Sequence, residues 1–282
     1  MQRPLSGPAP KLTAPPGACD THMHVYGSQY PRHPGGPVPA PDAIVAEYRQ
    51  IMKWLGISRV VVVQPNAYGD DNRCILDAVA ELGQDTARAI VVVKPTVSDA
   101  ELQRLHAAGA RGVRIMCLQG GHSKWDALDE TVARIAPLGW HPIIQFDGRE
   151  FEQREAQLRT IKGNYIIDHT GKFLEPVAPD SAPMKAFLRL LDRGNCYVKL
   201  SGPYETSKTG APDYADVGQI TKALVKAAPE RMLWASNWPH PGLPAEKYPS
   251  DVAMLDRLLD IMPDEKVQRT TLVDNPARLY GW

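Results

Sequence analysis

The stretch C-D-T-H-M-H-V-Y-G, residues 19–27, decides how the chain is read. Asp20, His22 and His24 alternate with Thr21, Met23 and Val25. Side chains on a strand alternate faces with period 2, so both imidazoles point the same way. Two imidazoles side by side at a strand end are costly to bury unless they bind a metal, hold a substrate or move protons. The plainer alternative is a pair of packing or surface histidines. The rest of the chain weighs against it, because later strand-like runs also end in polar residues.

Those runs recur with helical patterns between them. Arg59–Gln64, Ala87–Pro95, Gly112–Met116, His141–Phe146, Asn164–His169, Cys196–Ser201 and Arg231–Trp238 are short and apolar, as strands buried on both faces are. Ile44, Val45, Tyr48, Ile51, Met52 and Leu55 repeat at helical spacing up to Gly56. Helices are expected over Asp71–Leu82, from the capping box Ser98–Glu101, and over Asp126–Ile135, Glu150–Ile161, Met184–Leu191, Tyr214–Ala227, Val252–Ile261 and Asp264–Leu272. Eight strands alternating with helices in 282 residues predict one α/β domain, a closed (β/α)8 TIM barrel over 18–282. A doubly wound sheet is the alternative, but it normally carries a Gly-rich phosphate loop, and neither G-x-G-x-x-G nor a Walker loop is present. Residues 1–17 read as an extended, Pro-rich arm, and Ser28–Pro41 as a lid or a rigid turn.

Composition narrows the function. Lys+Arg 32 balances Asp+Glu 32, which gives no overall field for nucleic acid or an anionic membrane. No apolar run approaches the ~20 residues a membrane span needs. The first residues lack the apolar segment of a signal peptide. The four cysteines are scattered without C-x-x-C, as free thiols in a reducing cytoplasm would be. A cytoplasmic enzyme is expected.

In such a barrel, chemistry sits at the C-terminal strand ends. Those ends carry His22 and His24, Gln64, Arg114, Gln145 with Asp147, His169 with Lys172, Lys199 with Tyr204, and Asn237 with His240. Each has a bland reading on its own: strand caps for the glutamines, an ion pair for Arg114, an edge charge for Lys199, a loop-orienting role for His240. Their convergence on one mouth favours an active site. Three histidines could hold zinc. A barrel hydrolase usually also needs a carboxylate as ligand and as base for water, and strand eight ends on Asn237. An amide takes no proton near neutral pH and is a poor ligand for such a cation. The expectation is therefore a site with no metal and no cofactor.

D-T-H-M-H (20–24), G-V-R-I (112–115), D-H-T-G-K (168–172), N-W-P-H-P (237–241) and N-P-A-R-L-Y (275–280) together resemble the amidohydrolase superfamily, in the branch often labelled amidohydrolase 2. Q-F-D-G (145–148), H-T-G-K-F (169–173) and G-P-Y-E-T-S-K (202–208) extend the likeness to its metal-independent, lactone-acting members. Its lactonases carry Asp at the position of Asn237, as general base, and a second arginine shortly after Arg114, where this chain reads L-Q-G-G (118–121). The resemblance thus implies a sugar-acid lactone isomerase, with a metal-independent lactone hydrolase of the pyrone-dicarboxylate type as the alternative. The implied partner is a small carboxylated lactone.

Ring-size exchange needs no base for water, since the substrate's own hydroxyl attacks the carbonyl. What remains is a proton shuttle, assigned to His169 or to one of His22 and His24, which the sequence does not distinguish. His22, His24 and Asn237 are expected to cradle the oxyanion, and His240 completes the catalytic set. Arg114 and Lys172 are expected to grip the carboxylate. Lys199 and Tyr204 would contact substrate oxygens, while Gln64, Gln145 and Asp147 read the polyol. Rival classes are a metal-dependent decarboxylase or hydrolase and a non-catalytic sugar-acid binder.

Overall fold

The computed structural model of the protein describes residues 3–118, 121 and 123–282. The first half alternates β1 (Cys19–Met23), α1 (Val45–Leu55), β2 (Arg59–Val63), α2 (Arg73–Leu82), β3 (Ala87–Val91), α3 (Asp99–Ala107), β4 (Ala110–Met116) and α4 (Leu128–Ile135). The second continues with β5 (His141–Gln145), α5 (Phe151–Leu158), β6 (Tyr165–Ile167), α6 (Ala182–Leu191), β7 (Cys196–Leu200), α7 (Ala215–Ala227), β8 (Met232–Trp234) and α8 (Asp251–Ile261). The chain ends in α9 (Glu265–Arg269), one π turn and α10 (Asn275–Tyr280).

All neighbouring strands pair in parallel, in the order β1 to β8. The seam between first and last strands closes beyond the end of β8. There Asn237 N–H donates to His22 O at 2.9 Å, and His24 N–H donates to Trp238 O at 2.8 Å. Closure itself therefore sets Asn237 beside the two histidines. The last strand stops at Trp234, short of the expected Trp238, because Asp20 takes over the bonding. Its buried carboxylate accepts the Ser236 and His22 backbone N–H groups, both at 3.0 Å, the Tyr48 hydroxyl at 2.8 Å and the Ser236 hydroxyl.

The barrel interior is filled by Cys19, Val61, Ile90, Ile143, Ile166 and Leu233. Its floor is closed by Leu279 and Tyr280 of α10, whose carbonyl end is held by Arg88. Gly112 is required where β4 meets β5, since a Cβ there would lie 2.3 Å from His141 O. Helices cover the outside with their apolar faces; α1 buries Val45, Tyr48, Ile51, Met52 and Leu55 and stops at Gly56, φ +71°. The capping box of α3 forms only in half. Ser98 Oγ accepts Glu101 N–H, but Glu101 pairs with Arg104 rather than reaching back. Residues 3–17 contain no helix or strand, and Arg3 pins the start of this arm to the carbonyls of Pro41 and Asp42. Among the described residues no helix is long and apolar enough to cross a membrane.

Candidate active site

At the mouth, the Nε2 atoms of His22 and His24 stand 3.1 Å apart. His24 Nδ1 lies 2.7 Å from Val63 O, and His22 Nδ1 lies 3.0 Å from Asp168 Oδ1. A carbonyl and a carboxylate only accept, so both Nδ1 atoms donate. The facing Nε2 atoms then either share one proton or oppose their lone pairs. Burial works against charge on both rings: it pushes His24 down to about 3, and holds His22 well below the ordinary imidazole value with Asp168 opposing. A proton placed between two such reluctant bases is readily given up.

Asp168 is the hub beneath them. It follows Ile167 at the end of β6 and has no exposed side-chain surface. Its Oδ2 lies 3.5 Å from His169 Nε2 and 3.8 Å from Arg114. Burial alone would raise its pKa, but His169, His22 and Lys199 together hold the carboxyl well below the usual carboxylate range. His169 stands in a turn rather than on the strand. His169, Thr170 and Lys172 all have positive φ, 45°, 56° and 46°, and His169 Nδ1 meets Ser201 Oγ at 2.9 Å. Such a run of left-handed residues is uncommon outside functional turns.

The cations are less free than the sequence suggests. Arg114 donates to Gln64 O and to Gln145 Oε1, both at 2.9 Å, which leaves Nε as its buried nitrogen without a partner among the described residues. The expected bidentate grip on a substrate carboxylate is thus already taken up by the protein. Lys199 is fully buried, donates to Thr21 O at 2.6 Å and stands 3.4 Å from His22 Nδ1. Its ammonium is directed at β1 and the imidazole. Burial pushes both Lys199 and Lys172 down to about 8, with Asp168 opposing. Lys172 is ion-paired with Glu205, and this pair, 11% and 16% exposed, is where the buried cluster meets solvent.

Asn237 Nδ2 donates to Tyr204 OH and to Glu205 Oε1, both at 2.8 Å. Its Oδ1 is buried without a protein partner. Tyr204 OH lies 3.0 Å from His240 Nδ1, and His240 Nε2 lies 3.2 Å from Asp251 Oδ1. Asn237 and His240 both have left-handed backbones, φ 58° and 61°.

The structure therefore brings together His22, His24, His169, Arg114, Gln145, Lys199, Lys172, Tyr204, Asn237 and His240. Gln64 and Asp147 are turned to local work. Gln64 Nε2 donates to the carbonyls of Gly69 and Asp71, and Asp147 caps the next turn by accepting Arg149 N–H and the Arg149 side chain. Both are held by these neighbouring loops rather than within the imidazole cluster. Asp168, Glu205, Ser201 and Asp251 were missed. Alternation was the signal available for Asp168, from Ile166, and for Ser201, from Lys199; Glu205 lies in a loop and Asp251 opens α8. Gln119 and Gly120 of the L-Q-G-G segment lie outside the described residues. Two cavities flank the cluster. One of about 380 Å³ reaches Arg114 from the β3–β4 side, and an apolar one of about 260 Å³ lies between α7 and α8, away from the imidazoles.

Barrels with H-x-H on the first strand commonly hold a divalent ion, so the donors matter. The group that converges is His22, Asp168 and His169. Its carboxylate already takes the His22 proton, an ammonium stands 3.4 Å from His22 Nδ1, a guanidinium 3.8 Å from Asp168, and strand eight offers an amide. This cation-flanked set does not fit a divalent-ion cage.

Fold and site define a (β/α)8 barrel with a histidine-rich mouth of the amidohydrolase type. The family profile described as amidohydrolase matches residues 19–282, and the chain belongs to that family. It is 40% identical over 283 positions to a D-galactarolactone isomerase of Agrobacterium fabrum, covering 99% of this chain and 96% of that one. It is 35% identical to a 2-pyrone-4,6-dicarboxylate hydrolase of Comamonas testosteroni, covering 96% and 92%. An apo crystal structure of an Agrobacterium tumefaciens protein matches at TM-score 0.93 and 38% identity over 99% of each chain. The named relatives are lactone-acting enzymes.

Proposed function

We propose that this protein interconverts six- and five-membered lactones of a sugar acid by moving the acyl group within the substrate, without a metal and without delivering water. The observation that carries this is Asn237 at the end of strand eight, with both amide hydrogens donated to Tyr204 and Glu205. It cannot take a proton from water. The carboxylates nearby are engaged as well, Asp168 with His22 and Glu205 with Lys172. The 40% identical galactarolactone isomerase supports the same reading.

Intramolecular attack uses what the site has. A substrate hydroxyl held against its own carbonyl can lower the barrier by ~7–11 kcal/mol at best. Asn237 has both amide hydrogens spent, so the donor to the developing oxyanion is the proton held between the Nε2 atoms of His22 and His24. Arg114 and Lys172 are the cations placed to meet a carboxylated ligand. Lys172 reaches it by releasing Glu205, and Arg114 through Nε.

The test is turnover of aldarolactones in ¹⁸O-labelled water, followed by NMR and mass spectrometry. Ring-size exchange without label is expected. Label entering a ring-opened acid would favour the hydrolase reading instead, for which the Comamonas relative speaks.

A further inference from the structure

We infer that Tyr204, His240 and Asp251 form a directed proton relay, in which Tyr204 exchanges a proton with the substrate's hydroxyl and Asp251 is the residue that positions His240. This rests on the lactone reading above and specifies which groups move the proton in it.

The direction follows from hydrogen-bond accounting. Asn237 has two amide hydrogens, one on Glu205 and one on the Tyr204 oxygen. With its oxygen accepting there, the Tyr204 hydroxyl has its own hydrogen to donate, and His240 Nδ1 lies 3.0 Å away. An accepting Nδ1 puts the neutral imidazole's hydrogen on Nε2, which stands 3.2 Å from Asp251 Oδ1 in an ion-pair contact that lacks hydrogen-bond alignment. The chain thus runs Asn237 to Tyr204 to His240 to Asp251, ending on a carboxylate.

Asp251 has no other evident task. It is 2% exposed, and among the described residues neither its Oδ1 nor His240 Nε2 has a hydrogen-bond partner, although the two buried atoms stand 3.2 Å apart. It occupies the first turn of α8, where Ser250 already supplies the cap. His240 itself is held at φ +61°, an uncommon backbone for a residue other than glycine, and Tyr204, Asp251 and the Tyr248 ring face its imidazole.

In the step, the attacking substrate hydroxyl gives its proton to the Tyr204 oxygen as the Tyr204 proton passes to His240 Nδ1. The imidazolium formed is neutralised by Asp251. Collapse of the tetrahedral intermediate reverses both transfers and delivers a proton to the departing ring oxygen. Nothing is oxidised and no proton is gained overall. Tyr204 passes its proton on rather than ionising, which suits a phenol whose burial raises its pKa well above the ordinary value.

The experiment pairs ¹⁵N-histidine NMR of the whole protein with kinetics of Asp251→Asn, Asp251→Glu and Tyr204→Phe. The expected tautomer of His240 is Nε2–H. In turnover, Asp251→Asn should lower kcat about 10²-fold with little change in KM, Asp251→Glu should restore about a tenth or more of the wild-type rate, and Tyr204→Phe should match the Asn variant. An Nδ1–H tautomer, or an Asp251→Asn kcat within about twofold of wild type, overturns the relay. If Asp251→Asn does not fold, Tyr204→Phe carries the kinetic test, and an undiminished kcat there overturns it equally. The tautomer measurement needs no substrate. Wild-type protein that ignores every sugar-acid lactone would therefore defeat the function, while the NMR still judges the relay.

Discussion

Asp168 accepts the Nδ1 hydrogen of His22 at 3.0 Å, and neither side chain has exposed surface. An imidazole bonded this way keeps its other nitrogen aimed and more basic, the arrangement by which a buried carboxylate orients a catalytic histidine. Here that other nitrogen faces His24, so Asp168 sets the state of the whole pair.

Asp168→Asn should therefore lower kcat about 10²-fold or more while leaving binding of a carboxylated product at least as strong, because a negative charge has left a cationic site. It should also destabilise the fold by about 3–5 kcal/mol, since Arg114 and Lys199 lose their buried counter-charge. Steady-state kinetics, product titration and urea unfolding measure the three quantities. Unchanged kcat would remove Asp168 from its place at the centre.

Stability in acid can be separated from activity at the barrel floor. His141, packed on Tyr280, is pushed by burial down to about 3. Its pKa is thus depressed relative to the unfolded chain. Between pH 6.5 and about 3 the unfolded state binds a proton that the folded state refuses, so stability falls as pH falls, by about 1.4 kcal/mol per pH unit. His24 adds a similar term over the same window. Urea midpoints from pH 7 to pH 4 should drop less steeply in His141→Gln than in wild type, with kcat at pH 7 preserved. Parallel curves would show that His141 is not buried neutral.

Arg114 touches both binding and structure. Arg114→Ala should raise KM for a carboxylated lactone about tenfold or more but change KM far less for the corresponding amide. It should also cost about 1–3 kcal/mol, because Gln64 O and Gln145 Oε1 lose their donor. Equal KM effects on acid and amide would place the substrate carboxylate elsewhere.

The barrel was legible because its strands are buried on both faces and read as runs such as R-V-V-V-V over 59–63, and because period 2 put Lys199 on one face with Tyr197 and Ser201. H-x-H, His169, Arg114 and Asn237 were legible as polar strand ends. What alternation could not supply was partnership. Whether Lys199 meets substrate or Thr21 O depends on β1 lying across the barrel, and whether Gln64 faces the mouth depends on the Gly69–Asp71 loop folding back to it. Asp251 is 14 residues beyond Asn237, on a helix whose approach only the tertiary fold sets. Asp168 is the instructive miss: it shares a face with inward Ile166, but the histidine beside it drew the reading away.

Asn237→Asp is the sharpest test of the chemistry. The new carboxylate would sit where Nδ2 now lies 2.8 Å from Glu205 Oε1, and two carboxylates that close cannot both ionise. One of them takes a raised pKa, near enough to neutrality to remove a proton from water. Losing the Asn237 amide also costs Tyr204 the hydrogen bond that aims its hydroxyl. Isomerisation should therefore fall, by about tenfold or more, while ring-opened acid carrying one solvent ¹⁸O appears. Water would then be doing what the substrate's hydroxyl did before, on the same scaffold and beside the same imidazoles. A product ratio identical to wild type would mean that the amide at the end of strand eight is not what keeps water out of the reaction.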